Sequence, residues 1–187
     1  MKKALIVDDE PLLRRQVADA LSSFGFDQLV EAENGQQAVE MARSEKPLLI
    51  VMDISMPIKD GVSAAAEINS LTPLPIVLLT GTTDAETVAR AREAGVMNYL
   101  LKPFREEQLA VVVDLAIDQY IRVSNLEDEV GKLKETLETR KLVEKAKGVL
   151  IKQGLSENEA YRRMQKLAMD KRKSLRDVAD AILLMEG

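Results

Sequence analysis

The stretch LLIVMDISMPIKDG, residues 48–61, contains an apolar run that ends at an aspartate, Asp53. Short continuous apolar runs are typical of strands that are buried on both faces of a parallel sheet. Because strands alternate with helices here, and because crossovers between parallel strands are right-handed, the sequence predicts an α/β fold with a doubly wound, five-stranded parallel sheet. The other four apolar runs are ALIV (4–7), LVEA (29–32), IVLL (76–79) and NYLL (98–101), and the amphipathic stretches between the runs are PLLRRQVADALSSF, GQQAVEMARS, VSAAAEINS and AETVARAREA.

The composition excludes several kinds of chemistry. The 187-residue chain has no cysteine and no histidine, which excludes disulfides, Cys/His zinc sites, thiol or Ser-His nucleophiles and phosphohistidine. The net charge is -5, but residues 140–187 hold 12 Lys and Arg against 7 Asp and Glu, so an acidic body of charge -10 carries a basic end of charge +5. No apolar run approaches the roughly 18 residues that span a membrane, and the apolar segment of MKKALIVDDE is too short for a signal peptide. We expect a cytoplasmic protein with no membrane partner.

Polar residues follow four of the predicted strands. Asp8 and Asp9 follow the first strand, Asp53 the third, Thr80 the fourth and Lys102 the fifth. If the strand order is 2-1-3-4-5, these strands are neighbours and all five residues meet at one edge of the sheet. Three carboxylates that lie close together require a cation, and oxygen ligands without His or Cys favour Mg²⁺. Such a pocket can neutralise an incoming phosphoryl group while one carboxylate attacks phosphorus.

The Asp-Asp pair and Lys102 also have ordinary structural explanations. An Asp-Asp pair usually caps a helix, and Pro11 in the first helical turn supports that role for Asp9. The Lys102-Pro103 pair alone is usually a turn.

A heptad pattern follows the predicted sheet. Apolar residues recur at alternating steps of four and three, which is typical of a coiled coil. We predict a coiled-coil linker helix at residues 112–139 that forms a marginal homodimer, since Gln119 and Gly131 weaken it. The alternative is that this helix only packs on the sheet, which we expect up to residue 120. The eight positions, which we call the seam, are Val112, Ala116, Gln119, Val123, Leu126, Val130, Leu133 and Leu137.

The basic end, residues 140–187, divides into three short helical patterns that break at Gly154 and at residues 171–173. The SENE motif, Ser156 to Glu159, predicts a capping box, and Ser174 is a second cap. Three helices of this length predict a small bundle. In the first of them, Val143, Ala146, Leu150 and Gln153 form the stripe that faces inward.

A second stripe of this helix is basic, and Gly148 interrupts it at its centre. Its residues are Lys141, Lys145, Gly148 and Lys152, with Arg140 and Lys147 beside them. A glycine within a helix costs about 1 kcal/mol relative to alanine, so a compensating role is expected. Close approach of a phosphate or sugar to the backbone is one such role, tight helix packing is another, and the lysines alone are also consistent with a solvated face.

The motifs IVDDE, VMDISMPIKDG, LLTG and YLLKPF, in this order over residues 1–120, resemble the receiver domain of two-component response regulators, a flavodoxin-like fold. The resemblance implies a cognate sensor histidine kinase as partner and Asp53 as the phosphoacceptor. It also implies a cis peptide at Lys102-Pro103. The remaining implied roles are Mg²⁺ binding by Asp8, Asp9, Asp53 and the Ser55 backbone carbonyl, phosphate contact by Thr80 and Lys102, and an aromatic switch at Tyr99.

The segment RKLVEKAKGVLIKQGLSENEAYRRMQKLAMDKRKSLRDVADAIL resembles the ANTAR domain of AmiR- and NasR-type transcription antitermination regulators. The resemblance implies binding of paired stem-loops in a nascent transcript, with a dimer presenting two bundles to two hairpins. Tyr161 is equally consistent with a core position. The predicted RNA contacts are Arg140, Lys141, Lys145, Lys147, Gly148, Tyr161, Arg162, Lys171, Arg172 and Lys173.

Two other functions compete with this hypothesis. The end of the chain could be a DNA-binding or protein-docking bundle under receiver control, although LRDVADAIL offers little to place in a major groove. A phosphotransfer enzyme is the other, since a receiver catalyses its own phosphorylation. With no separate substrate pocket evident in the sequence, we interpret that chemistry as signalling and predict that the protein is not an enzyme.

Overall fold

All five predicted strands form in the computed structural model, which describes residues 2–81, 85–96 and 98–185. They pair in parallel in the order β2-β1-β3-β4-β5, which confirms the predicted sheet. The register places Asp53 opposite Leu79 and Thr80 opposite Leu101, so the C-terminal ends of three strands lie at one edge. The strands are β1 (Lys3–Val7), β2 (Gln28–Ala32), β3 (Leu49–Asp53), β4 (Ile76–Thr80) and β5 (Asn98–Leu101).

Helices cover both faces of this sheet. One core cluster joins the second, third and fourth helices to one face, and another joins the first and fifth helices to the opposite face. Ile50 lies in the first cluster and Val51 in the second, because successive strand residues point to opposite faces. This two-sided burial explains why the central strands are continuously apolar. The helices are α1 (Pro11–Ser23), α2 (Gly35–Glu45), α3 (Gly61–Leu71), α4 (Ala85–Glu93) and α5 (Glu106–Lys152).

Helix α5 divides the seam into two parts. Ala116 is buried in the core of the sheet, Val112 packs against that core, and Gln119 accepts a hydrogen bond from Asn98 at 3.1 Å. The first three seam residues therefore pack within the sheet domain, as the alternative explanation expected. The five that follow are all exposed, and they are Val123, Leu126, Val130, Leu133 and Leu137.

The chain divides into two compact units, Met1–Val123 and Ser124–Gly187. Helix α5 continues without a break through residues 139 and 140, where the sequence suggested a separate bundle helix. The last two residues of the predicted third domain, 186 and 187, lie outside the described residues. Within the described ranges, no helix combines the length and the apolar character needed to cross a membrane.

Two further helices, α6 (Glu157–Lys171) and α7 (Leu175–Leu184), pack with the end of α5 around a small apolar core. Both begin with a capping box, built by Ser156 with Glu159 and by Ser174 with Asp177, as the sequence predicted for the first of them. Gln153 is exposed, so its predicted inward position is wrong, because α5 ends at Lys152. The buried core residues are Val143, Ala146, Leu150, Ala160, Met164, Val178 and Ala179.

Candidate functional site

Three aspartates meet at the C-terminal edge of the sheet. Asp8 and Asp53 are buried, with exposed fractions of 1% and 5%, whereas Asp9 is exposed. One carboxylate oxygen from each lies within 4.8 Å of the others. The predicted acidic cluster therefore forms, with one member open to solvent.

Lys102 connects the two buried carboxylates. Its Nζ lies 2.9 Å from Asp8 Oδ2 and 2.7 Å from Asp53 Oδ1. The peptide bond from Lys102 to Pro103 is cis, as the sequence motif implied. Burial alone lowers the pKa of Lys102, but its hydrogen bonds to Asp53 and Asp8 outweigh this effect and raise its pKa. The ammonium is therefore fixed in its charged form within the pocket.

Burial raises the pKa of the Asp53 carboxyl above its ordinary value, and the neighbouring Asp8 carboxylate acts in the same direction. The Lys102 ammonium opposes both effects, as does the Ser55 backbone N–H, which donates to Asp53 Oδ2 at 3.1 Å. Three carboxylates and one ammonium leave two formal negative charges in the cluster. An all-oxygen donor set with this charge fits a hard divalent cation such as Mg²⁺.

Thr80 and Tyr99 differ in their surroundings. Thr80 is buried at the end of β4, one residue beyond the register partner of Asp53, and its carbonyl accepts a hydrogen bond from the Lys102 backbone N–H at 2.7 Å. Tyr99 lies on the edge strand β5 and is 44% exposed. The structure thus brings Thr80 to the pocket edge and leaves Tyr99 on the surface.

The residues predicted for RNA lie in the second unit. Eleven of the twelve cations between residues 140 and 185 are exposed, and Lys147 is buried. Its Nζ lies 2.8 Å from Glu144 and 3.0 Å from Glu157, and these hydrogen bonds raise the pKa of Lys147. The surroundings of Lys147 argue against binding to a phosphate, because it is buried and two carboxylates already neutralise its ammonium. Lys141 has one such partner, Glu138 at 3.1 Å, but both of these side chains are exposed.

Gly148 and Tyr161 were each given two explanations from the sequence. A Cβ placed on Gly148 would meet nothing within 4 Å, so packing among the described residues does not require glycine there. Tyr161 is 40% exposed and therefore is not a core residue.

Comparison with known protein families identifies two domains in this chain. The pattern of the response regulator receiver domain matches residues 4–114, and that of the ANTAR domain matches residues 131–183. The chain is a response regulator of the receiver–ANTAR family. It belongs to a family of regulatory proteins rather than enzymes, as the sequence analysis predicted.

Among its relatives, this response regulator is 44% identical over 183 residues to the transcriptional regulatory protein PdtaR of Mycobacterium tuberculosis H37Rv, covering 97% of this chain and 89% of PdtaR. It is 33% identical to the chemotaxis protein CheY of Bacillus subtilis, covering 62% of this chain and 98% of CheY. A solved structure, the N-terminal domain of a response regulator/sensory box/GGDEF 3-domain protein from Carboxydothermus hydrogenoformans, superposes with a TM-score of 0.60 at 32% identity, covering 66% of this chain and 99% of that one.

Two residues that support the pocket were missed in the sequence. Arg14 is buried, and its Nη1 donates to the Asp8 carbonyl at 2.9 Å while its Nε donates to Glu31 at 2.8 Å. A Cβ on Gly61 would lie 2.0 Å from the backbone oxygen of Asp53, so no other residue fits without moving that strand end. In the sequence, the Asp-Gly pair that ends the stretch at residues 48–61 was the available signal for Gly61, whereas no local pattern indicated a role for Arg14.

The capping explanation for Asp9 is wrong. The residue that caps α1 is Glu10, and it makes no side-chain capping hydrogen bond. The Glu10 backbone N–H instead donates to Asp8 Oδ1 at 2.8 Å, which fixes the neighbouring carboxylate. Asp9 thus belongs to the acidic cluster and does not cap the helix.

Proposed function

We propose that this response regulator accepts a phosphoryl group on Asp53 from a cognate sensor histidine kinase and, as a dimer, binds paired RNA hairpins to prevent transcription termination. Phosphorylation of Asp53 is supported mainly by the contact of Lys102 with both buried carboxylates, because this contact places an acceptor oxygen beside a fixed positive charge. RNA binding is supported by the exposed cations of the second unit.

In the pocket, Asp8, Asp9, Asp53 and the Ser55 carbonyl would hold Mg²⁺, which neutralises charge on the incoming phosphoryl group. An Asp53 carboxylate oxygen attacks phosphorus in line, and the P–N bond of the kinase phosphohistidine breaks as the O–P bond forms. Lys102 then pairs with the phosphoryl oxygens. The Thr80 hydroxyl donates a hydrogen bond to the same oxygens, and Tyr99 turns inward as Thr80 moves.

The exposed apolar residues of the seam support the proposed homodimer. From Val123 to Leu137 the seam is about two heptads long, with valine at the a positions 123 and 130 and leucine at the d positions 126 and 133. Valine at a and leucine at d favours a two-stranded parallel coiled coil. The proposed pairing thus uses only the second part of the linker helix that was predicted at residues 112–139. In this proposal the receiver domain spans residues 1–120 and the ANTAR domain spans residues 140–187.

The charges beside the exposed seam are complementary in a parallel pair. Arg122 at a g position would face Glu127 of the second copy at e, and Glu129 would face Lys134 of the second copy. All four side chains are exposed and available. A short seam with matched charges gives a weak and specific dimer.

A cysteine crosslink tests this pairing, since the chain contains no cysteine. We expect Leu126→Cys, at a d position, to form a disulfide-linked dimer under mild oxidation, and to do so faster with Mg²⁺ and BeF₃⁻, a phosphoryl mimic. Lys132→Cys, on the outer face of the same helix, is the control and should crosslink slowly. Equal rates for the two variants would rule out pairing along the seam.

The RNA surface is proposed from the exposed cations of the second unit. Each phosphate that Lys or Arg neutralises releases counterions, so affinity should fall steeply with salt. Dimerisation would join two weak sites into one strong one. The proposed contacts, now without a phosphate role for Lys147, are Arg140, Lys141, Lys145, Gly148, Tyr161, Arg162, Lys171, Arg172 and Lys173.

One experiment tests whether phosphorylation is coupled to dimerisation and to RNA binding. It measures sedimentation and binding to a two-hairpin RNA with and without Mg²⁺ and BeF₃⁻. We expect the mimic to shift the protein toward a dimer and to raise RNA affinity, and we expect Asp53→Asn to abolish both changes. If neither changes, the coupling is wrong. Preference for duplex DNA at the same salt concentration would favour the DNA-binding alternative instead.

We also propose a cytoplasmic location, because both partners of this function, the kinase phosphohistidine and a nascent transcript, are reached from the cytoplasm.

A further inference from the structure

A cavity of about 530 Å³ lies between α5 and α6 in the second unit. Its volume falls in the range of small-molecule sites. Arg140, Lys147 and Tyr161, which the sequence assigned separately to RNA, all line this one cavity, together with Asn158. Residues from two helices thus converge on a single concave site.

The charge of the lining argues against a phosphate. Glu144 and Glu157 also line the cavity, and they flank the Lys147 ammonium at 2.8 Å and 3.0 Å. With Arg140, the cavity has two cations and two carboxylates, so it is formally neutral. The exposed lysines outside it are better placed to bind phosphate, and the cavity itself suits an uncharged group that can both donate and accept hydrogen bonds.

The remaining residues suit a flat heteroaromatic ring. Tyr161 is 40% exposed, and an exposed aromatic side chain is a stacking platform for a base. The Asn158 amide offers a donor and an acceptor side by side, which is the pattern that reads a base edge, and carboxylates accept from exocyclic amino groups.

We propose that this cavity takes one unpaired nucleobase of the bound RNA, stacked on Tyr161 and read by Asn158. The inference rests on the proposed RNA binding and adds sequence selection to it. The ion pair between Lys147 on α5 and Glu157 at the start of α6 joins the two walls of the cavity.

The first test uses a pool of two-hairpin RNAs with randomised loops, selected with the full-length protein, Mg²⁺ and BeF₃⁻. Wild type should enrich one loop position for a particular base, and Asn158→Ala should lose that preference. Gln153→Ala is the matched control, because Gln153 is also exposed but lines a different cavity. The control should keep the wild-type preference.

The second test measures stacking. A selected RNA with 2-aminopurine at the enriched position should lose fluorescence on binding to wild type, and Tyr161→Leu should retain fluorescence and bind about tenfold more weakly. If Asn158→Ala still binds RNA in a salt-dependent way and keeps the wild-type base preference, the proposed role of the cavity is wrong, whereas the proposed RNA binding stands. If no RNA in the pool binds wild type, the proposed function and this inference both fail.

Discussion

Gly148→Ala separates the two roles that the sequence gave to this glycine. It lies within α5, where an added Cβ meets nothing within 4 Å. Gly131 is a matched control, since it lies in the same helix, outside the seam, with the same open space around its Cβ. The two substitutions therefore change helix propensity equally. Because Gly131 weakens the predicted coiled coil, its replacement by alanine should strengthen pairing and should not lower RNA affinity.

The expected gain in the free energy of unfolding is about 1 kcal/mol for each variant, which is the helix-interior difference between glycine and alanine. For a unit of this size it corresponds to a rise in melting temperature of about 4–8 °C. If RNA approaches the backbone at Gly148, the methyl group should also weaken RNA binding there. If the methyl group removes one hydrogen bond between the RNA and the backbone at this position, the loss of about 1–1.5 kcal/mol lowers RNA affinity by about tenfold.

Thermal unfolding by circular dichroism gives the first quantity, and filter binding to a two-hairpin RNA with Mg²⁺ and BeF₃⁻ gives the second. Only Gly148→Ala should lose affinity. Two stabilised variants that both bind RNA as tightly as wild type would refute the close approach. A destabilised Gly148→Ala beside a stabilised Gly131→Ala would instead restore the packing explanation.

Two other predictions follow from contacts of single residues. Gly61→Ala should reduce phosphorylation by acetyl phosphate and lower the free energy of unfolding by about 1–3 kcal/mol, because its Cβ would overlap the Asp53 carbonyl. Gly81→Ala, whose Cβ meets nothing within 4 Å, should be close to wild type, and equal effects of the two would contradict the clash. Hydrogen bonds from Ser174 lower the pKa of Asp177, so this stabilisation is present at neutral pH and is lost as the pH falls below about 4. Ser174→Ala should cost about 1 kcal/mol at pH 7 and less at pH 3 in thermal melts, whereas an equal loss at both would exclude the linkage.

The sheet and its acidic pocket could be predicted because both depend on local sequence. Each buried strand is a continuous apolar run, and a polar residue at its end is carried to the same edge by parallel pairing. Asp53 and Lys102 are therefore brought together by topology alone, although they are far apart in the chain.

The other contacts depend on partners that no local pattern reveals. A helical stripe gives the direction of Lys147 around α5, but not the Glu157 carboxylate on the next helix that covers it. The heptad spacing continues through Ala116 and Val123 alike, so it does not distinguish a residue that packs on the sheet from one left exposed. The clash at Gly61 involves a backbone oxygen eight residues earlier, which becomes visible only once the turn is built.

The shortness of the exposed seam has a consequence for the cell. The pairing proposed above covers about two heptads and would be weak, so the proportion of dimer would depend on how much protein is present. A tenfold rise in protein concentration favours association by about 1.4 kcal/mol, which is comparable with a typical allosteric coupling. Gene dosage would therefore act on the same equilibrium as the kinase, and strong expression of the unphosphorylated protein should by itself produce part of the response.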